Sequence, residues 1–392
     1  VQPERGGREG VRIGLSAAET SGDRIGALIM RELGSDMPGA RFVGLGLARM
    51  REAGLESVRH DADMAVMGYW DAIAKLPGIL RVRRALVRSM TDDLPSLFVG
   101  IDSPDFNFGV ERILKDRGVK VAHIVSPSLW AWRPERIEKI RRSMHLMLCL
   151  FPFEEKIYRD AGVRAAVIGH PDADRAPEVP DRAAARSRIG LRGDADPVVT
   201  LMPGSRAQEI EHHLDAFLEA AGKIAQRHPD AAFLIPAANE TCRAEIARRG
   251  AAERPGVDVH LPAADAADCL EASDFAVVKS GTSTLQAMLY GVPMVIAYIM
   301  SPIAYRLVRL RKFHTRFVGL PNVLAGKRLC AELIQERATP ANIADEAERL
   351  LGDPESARRY RDEAMAIRAT LRMGAGRRAA AALKELASGD GD

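Results

Sequence analysis

The sequence predicts an α/β protein with two Rossmann-like parallel-sheet domains facing a cleft, followed by a helical C-terminal tail. Three observations carry that expectation. Short apolar runs alternate with helical patterns from Val11 to Ile168, and the alternation restarts from Val198 to Ala297. A stretch rich in Pro, Asp, Ala and Arg, Pro171–Pro197, separates the two series. The 392 residues, 47% hydrophobic but only 5% aromatic, supply two aliphatic cores at roughly 150 residues per domain, as buried parallel strands require.

The first series places strands at Val11–Leu15, Arg41–Gly44, Leu97–Ile101, Lys120–Val125, Leu146–Leu150 and Ala165–Ile168. Helical patterns lie between them, among them Asp23–Leu33, Glu111–Arg117 and Pro134–Arg142. Such alternation reads as βαβ units and a parallel sheet. The second series places strands at Val198–Met202, Ala232–Ile235, Val257–Leu261, Phe275–Val278 and Met294–Ala297. The expected domains are 1–170 and 198–350, with 171–197 as a linker holding a short helical patch at Ala183–Ile189, and 351–392 as the tail. Ligands of such sheets bind beyond the carboxyl ends of the strands. The loops after strands are therefore where chemistry is sought.

A net charge of +3 argues against a general nucleic-acid binder. Cys149, Cys242, Cys269 and Cys330 are widely spaced and form no CxxC pair, which argues against a zinc ribbon or a disulfide framework. The opening VQPERGGREG has no apolar h-region and predicts no signal peptide. The longest apolar runs, such as Leu146–Phe153, fall short of the roughly 18 residues of a spanning helix.

In the second half, the strand Val198–Met202 runs into Pro203-Gly204-Ser205-Arg206 and then a helix. Gly204 allows close backbone approach, the helix start offers unpaired N–H groups, and Arg206 brings a planar cation suited to a diphosphate. Ser205-x-x-Gln208 also reads as a capping box, which explains neither Gly204 nor Arg206. The logic repeats after Phe275–Val278 with Lys279, Ser280, Gly281, Thr282 and Ser283, where Ser283-x-x-Gln286 is a second capping box on the plainer reading. Two such turns in one sheet point to a single nucleotide diphosphate. Three Asp-Ala-Asp stretches (Asp61–Asp63, Asp172–Asp174, Asp194–Asp196) lack a leading strand and read as chance. Glu209, His212 and His213 match no zincin spacing. The expectation is no metal and no cofactor.

In the first half, Val11–Leu15 leads into a turn carrying Glu19, Thr20, Ser21 and Asp23. Ser21 and Asp23 also read as helix caps; Glu19 does not. Leu97–Ile101 delivers Asp102 at the end of a buried strand, where a functional carboxylate is expected as a general base. The strand Lys120–Val125 ends in Ser126–Arg133, whose Ser128, Trp130 and Trp132 either pack or line an acyl or sugar pocket.

Gly78–Met90 places Ile79, Val82, Leu86 and Met90 at helical spacing beside Arg81, Arg84 and Arg88. This reads as a basic amphipathic helix at a membrane surface. A core-facing helix with a solvated basic face gives the same pattern. Met64–Trp70 adds interfacial side chains upstream, and Arg306, Arg309, Arg311, Lys312 and Arg316 form a second basic cluster. The two basic patches suit an anionic lipid or a phosphate-bearing substrate.

Eight motifs share one resemblance. AAETSGD at Ala17–Asp23, AVMG at Ala65–Gly68, GIDSPDFN at Gly100–Asn107 and SPSLWAW at Ser126–Trp132 are followed by GHPDAD at Gly169–Asp174, LMPGSR at Leu201–Arg206, SGTSTLQ at Ser280–Gln286 and LPNVLAG at Leu320–Gly326. Together and in this order they resemble the lipid-A-disaccharide synthases over nearly the whole chain. The resemblance implies a GT-B fold and an inverting, metal-independent transfer. UDP-2,3-diacylglucosamine is the implied donor and 2,3-diacylglucosamine 1-phosphate (lipid X) the acceptor, on the cytoplasmic side of the inner membrane, with a homodimer left open. It carries the acidic residue of the GID motif onto Asp102, the ExSGD residues onto Glu19, Ser21 and Asp23, the PGSR arginine onto Arg206 and the LPN asparagine onto Asn322. Gln286 stands where the family carries glutamate, so a charge-assisted bond to the ribose becomes a neutral one. Ala18 replaces the usual Gly.

Overall fold

The computed structural model describes residues 11–58, 68–131, 134–301, 305–306 and 315–389, with the backbone alone for 68–76. The chain divides into two compact units, one running through Asp174 and resuming at Leu371, the other Arg175–Thr370.

The N-terminal unit contains a seven-stranded sheet. Its strands are β1 (Arg12–Ala17), β2 (Arg41–Leu45), β3 (Glu56–Ser57), β4 (Leu97–Ile101), β5 (Lys120–Ile124), β6 (Leu146–Cys149) and β7 (Ala165–Val167). They lie in the order β3-β2-β1-β4-β5-β6-β7, every pair parallel. The central strand β4, LFVGI, is buried along its whole length. An apolar run without alternation is what a strand covered on both faces needs. Phe98, Phe108, Val121, Met147 and Tyr158 pack into one core on one side of this sheet.

The second unit repeats the plan with β8 (Val198–Met202), β9 (Ala232–Leu234), β10 (Asp258–His260), β11 (Phe275–Lys279), β12 (Met294–Tyr298) and β13 (Ala331–Ile334). The order is β10-β9-β8-β11-β12-β13, again all parallel. Helix Ala207–Arg227 follows β8 and buries Ile210, Leu214, Phe217 and Ile224 against the core that holds Phe233, Phe275 and Val295. That i, i+4, i+7 spacing puts one apolar stripe on the sheet.

Eleven expected strands are present to within two residues at each end. The other two, the edge strands β3 and β13, lack a buried apolar run that would mark them in the sequence. β3 is two residues long, and β13 alternates buried with half-buried positions over four.

Pro171–Pro197 is not the free linker its composition suggests. Pro171–Arg175 and Arg182–Arg188 are helices, the second capped by Asp181, whose carboxylate accepts the Ala184 N–H. Ala185 and Ala195 are buried with Val198, Ala232 and Cys269 in a small core of the second unit. Small residues read as loop-like in sequence, yet they let two backbones come close. The C-terminal segment is helical as expected but is shared. Arg368, buried in the second unit, donates to the carbonyls of Pro177, Glu178 and Leu289. Helix Ala375–Ser388 returns to the first unit, where Lys384 meets Asp36 at 2.9 Å and Gly376 sits against Leu28 and Glu32. Asp174 starts that helix by accepting the Gly374 and Ala375 N–H groups, and Asp172 pairs with Arg24 at 2.8 Å. This Asp-Ala-Asp stretch is thus structural rather than chance.

Candidate active site

In each sheet the strand order reverses direction once, between β1 and β4 in the first unit and between β8 and β11 in the second. Helices leave those two neighbours toward opposite sides, so the loops at their carboxyl ends diverge and leave a crevice. The four motif turns singled out in the sequence fall on these two reversal points.

Ala17 of β1 lies beside Ile101 of β4, so the loops carrying Glu19 and Asp102 start side by side. Glu19 is half-buried at the N-cap of helix Thr20–Asp36 with extended backbone, and its side chain makes no cap bond. Gly22 lets this helix approach β4: a Cβ there would stand 3.1 Å from the Ile101 carbonyl oxygen. Asp102 and Ser103 both take left-handed backbone, φ 56° and 43°. For residues with a Cβ this costs on the order of 1 kcal/mol each. Several hydrogen bonds hold the turn in place. Asp102 N–H donates to Ile124 O (2.9 Å), Ser103 N–H to Asp102 Oδ1 (2.8 Å) and Ser21 Oγ to Asp102 Oδ2 (3.0 Å). Fully buried Asn107 donates to the Asp102 carbonyl at 2.8 Å and accepts from Ser16 Oγ at 2.7 Å. Asn107 is a residue that sequence reasoning passed over. As the last residue of GIDSPDFN it gives no sign that its amide reaches back to Ser16 of β1 and to the Asp102 carbonyl.

Asp23 does not face the crevice. It is buried, and its carboxylate accepts N–H groups from Leu47 (2.6 Å), Arg49 (2.9 Å) and Met50 (3.2 Å). It therefore caps helix Ala48–Glu52 after β2, rather than its own helix, and its carboxylate is engaged there rather than with a substrate.

Beyond β5, Ser128 is exposed, Trp130 stands edge-on to Phe153 at 5.7 Å, and Trp132 lies outside the described residues. Ser126 Oγ and Tyr158 Oη are 2.6 Å apart. Nearby, burial pushes the Glu154 carboxyl up to about 8, although it accepts the Phe151 N–H.

The helix around Gly78–Met90 turns its apolar stripe inward. Val82, Leu86 and Met90 are core residues, and Ile79 packs partly buried against them. Val82 and Leu86 are thus excluded from a membrane contact, and the core-facing reading holds for the stripe. Arg81, Arg84 and Arg88 are exposed. Of the flanking segments, Met64–Met67, Arg309, Arg311 and Lys312 lie outside the described residues. No described helix is long and apolar enough to cross a membrane.

In the second unit, Gly204 has φ 145°, and a Cβ there would sit 2.3 Å from Glu209 Cβ. Only glycine fits. The Ser205-x-x-Gln208 capping box does not form: Arg206 is the N-cap of helix Ala207–Arg227, without a side-chain cap. Glu209 Oε2 instead accepts the Ser205 N–H (2.9 Å), while Cys242 Sγ donates to the Ser205 carbonyl (3.3 Å). Half-exposed Arg206 reaches Glu209 at 3.6 Å. After β11, Gly281 is the N-cap of helix Thr282–Leu289, so Ser283 lies inside the helix and its capping box is absent too. Ser280 and Ser283 are half-buried, Gly281 and Thr282 exposed, and Gln286 half-buried on the helix.

Lys279, which the sequence places first in this turn without giving it a role, ends β11 and binds Glu209 Oε1 at 2.8 Å. Burial works against ionising Glu209, but the Lys279 charge and hydrogen bond, the Ser205 N–H and Arg206 outweigh it and hold the carboxyl below its ordinary value. His213, one turn further on, donates Nδ1–H to the Glu209 carbonyl (2.7 Å) and accepts the Ile299 N–H at Nε2 (2.9 Å). Burial pushes its pKa down to about 4, so it is neutral. Among the described residues, no group of three or more His, Cys, Asp and Glu is placed to hold a metal ion.

Asn322 is also reassigned. It is fully buried, donates to Cys330 O (3.0 Å) and Glu332 Oε1 (2.8 Å), and accepts from Leu329 N–H (2.7 Å) and Cys330 N–H (2.9 Å). Its amide is fully used in pinning Leu320–Ala325 to β13, which leaves nothing for a donor nucleotide.

The fold is that of GT-B glycosyltransferases. The solved glycosyltransferase of kitacinnamycin matches with a TM-score of 0.57 at 19% identity, over 97% of this chain and 100% of that one. A solved UDP-N-acetylglucosamine 2-epimerase from Listeria monocytogenes, described as putative, matches with a TM-score of 0.62 at 14% identity, over 96% of each. These likenesses establish the fold and do not separate transfer from epimerisation. Sequence does. The lipid-A-disaccharide synthase of Thiobacillus denitrificans is 42% identical over 369 residues, 94% of this chain and 98% of that one. The family model described as lipid-A-disaccharide synthetase matches residues 13–386. The chain belongs to the lipid-A-disaccharide synthetase family of glycosyltransferases.

Proposed function

We propose that the chain transfers 2,3-diacylglucosamine from UDP-2,3-diacylglucosamine to lipid X with inversion, giving a β-1,6-linked disaccharide 1-phosphate and UDP. The observation that carries this reading is the division of chemistry between two sheet reversals. A hydrogen-bonded carboxylate, Asp102, stands at one, and an Arg- and Lys-bearing glycine turn at the other.

In this reading Asp102 takes the proton from the acceptor 6-hydroxyl, whose oxygen attacks the donor anomeric carbon from the face opposite the diphosphate. The anomeric C–O bond breaks, and its electron pair leaves on the UDP β-phosphate. Arg206, the Gly204-Ser205 turn and the Ser280–Ser283 turn stabilise that growing charge. Glu19 is the other carboxylate at the Asp102 reversal and the rival for the base. Ser21 and Ser128 remain on the acceptor side, and Gln286 on the donor side. No covalent intermediate enters, and no metal or cofactor is required.

Lipid substrates call for a lipid surface. The exposed Arg81, Arg84 and Arg88 suit the anionic inner membrane on its cytoplasmic side, each adding roughly 1 kcal/mol of attraction near the surface. The test is the configuration of the new linkage by proton NMR. A β linkage supports single displacement, and an α linkage overturns it.

A further inference from the structure

Glu209 stands in the first turn of helix Ala207–Arg227 with both carboxylate oxygens engaged. Oε2 takes the Ser205 N–H, and Oε1 takes Lys279 Nζ. Lys279 ends β11 and leads directly into Ser280-Gly281-Thr282, and a Cβ on Gly281 would lie 3.4 Å from its ammonium. That ammonium also sits over the Tyr298 ring, 5.5 Å from its centroid. Tyr298, at the end of β12, stacks on His213 at 5.8 Å, and His213 returns a hydrogen bond to the Glu209 carbonyl. Four side chains thus close a ring that ties the turn after β8 to the turn after β11 and to the end of β12.

The separation of the two turns is set by one carboxylate. Glu209 uses one of the three N–H donors of Lys279 and leaves the others for an anion. Two cations, Arg206 and Lys279, outnumber the one carboxylate here, so the local field still favours a phosphate.

We propose that Glu209 is a positioning residue that holds the two turns in one anion-binding arrangement, with Lys279 as the cation it presents to the donor diphosphate. The inference rests on the reading that this unit takes a UDP-linked donor.

The test is calorimetry of the full chain with UDP and with uridine as probes. Glu209→Gln keeps an acceptor for the Ser205 N–H but removes the charge that holds Lys279; Lys279→Met removes the cation at similar length. Each is expected to weaken UDP binding by roughly tenfold or more and uridine binding by less than about twofold. The donor KM should rise more than kcat falls. Tighter UDP binding by Glu209→Gln would overturn the proposal, because the carboxylate would then be a competing anion. Equal losses for UDP and uridine would overturn it too, by showing general damage. If Arg206→Ala weakens UDP binding while these variants do not, this inference alone fails. If Arg206→Ala also leaves UDP binding unchanged, the donor reading itself fails.

Discussion

Ser21 donates its hydroxyl hydrogen to Asp102 Oδ2 over 3.0 Å, and so joins the loop after β1 to the loop after β4. The bond fixes one carboxylate oxygen while the Ser103 N–H holds the other at 2.8 Å, giving a single orientation to a residue in left-handed backbone. A base so held is expected to depend on its charge more than on its shape. Asp102→Asn should lower turnover by ~100-fold or more with UDP affinity retained. Ser21→Ala should cost less, on the order of tenfold, because it removes orientation and leaves the carboxylate. Near-normal turnover in Asp102→Asn would move the role to Glu19.

Asp23 should behave as a structural residue. Its three N–H partners sit at the start of helix Ala48–Glu52, and Asp23→Ala strands them. A loss of about 3 kcal/mol in urea unfolding is expected. A variant of parental stability but weak lipid X binding would show instead that Asp23 contacts the substrate.

Asn322 makes the parallel case in the second unit. Asn322→Ala removes two donated and two accepted bonds in a fully buried place, so stability should fall by about 3 kcal/mol. UDP affinity of the folded fraction should stay within about twofold, a change of under 0.5 kcal/mol. Selective loss of UDP binding at unchanged stability would contradict this.

Glu154 gives a pH signature. Its folded value of about 8 lies above the unfolded one, so the folded chain binds the extra proton between roughly pH 4.5 and 8. Stability contributed by the protonated carboxyl is fully present below the unfolded value and is lost as pH rises through 8, at most about 1.4 kcal/mol per pH unit. Glu154→Gln keeps an acceptor for the Phe151 N–H and cannot ionise. Its Tm advantage over the parent should therefore grow from pH 5 to pH 8. An advantage that shrinks over that range would show that the carboxyl is ionised in the fold.

The helix at Gly78–Met90 separates stability from surface charge. Leu86→Ser should destabilise by roughly 3 kcal/mol, since Leu86 is a core side chain. Replacing Arg81, Arg84 and Arg88 with Ser should leave Tm nearly unchanged and release the protein from anionic vesicles, as high salt would. Parental vesicle binding by the triple variant would shift attention to the Arg306–Arg316 segment.

Much of this was legible because parallel strands buried on both faces write themselves as apolar runs, and because glycine turns after strands have few other uses. Leu97–Ile101 and Val198–Met202 coincide with β4 and β8 for that reason. The errors share a different cause. Asp23, Asn322 and Asp174 sit in motif-like or polar strings, but most of their partners are backbone groups from 7 to 201 positions away. Local sequence shows that a residue is polar, not that its valences are already used. Lys279 and Asn107 were missed in the opposite sense. Each stands in a turn or motif string that gives it no role, and only the fold brings Lys279 to Glu209 and Asn107 to Ser16 and the Asp102 carbonyl. The amphipathic stripe at Ile79–Met90 was ambiguous by its nature, since one pattern serves a core and a membrane alike.

The most direct test of the proposed transfer is UDP release by the purified chain, with UDP-2,3-diacylglucosamine present and lipid X either added or withheld. The account predicts UDP and disaccharide phosphate in equal amounts when both lipids are present, and almost no UDP without lipid X. UDP release that ignores lipid X, or conversion of the donor to an epimer without any disaccharide, would contradict it.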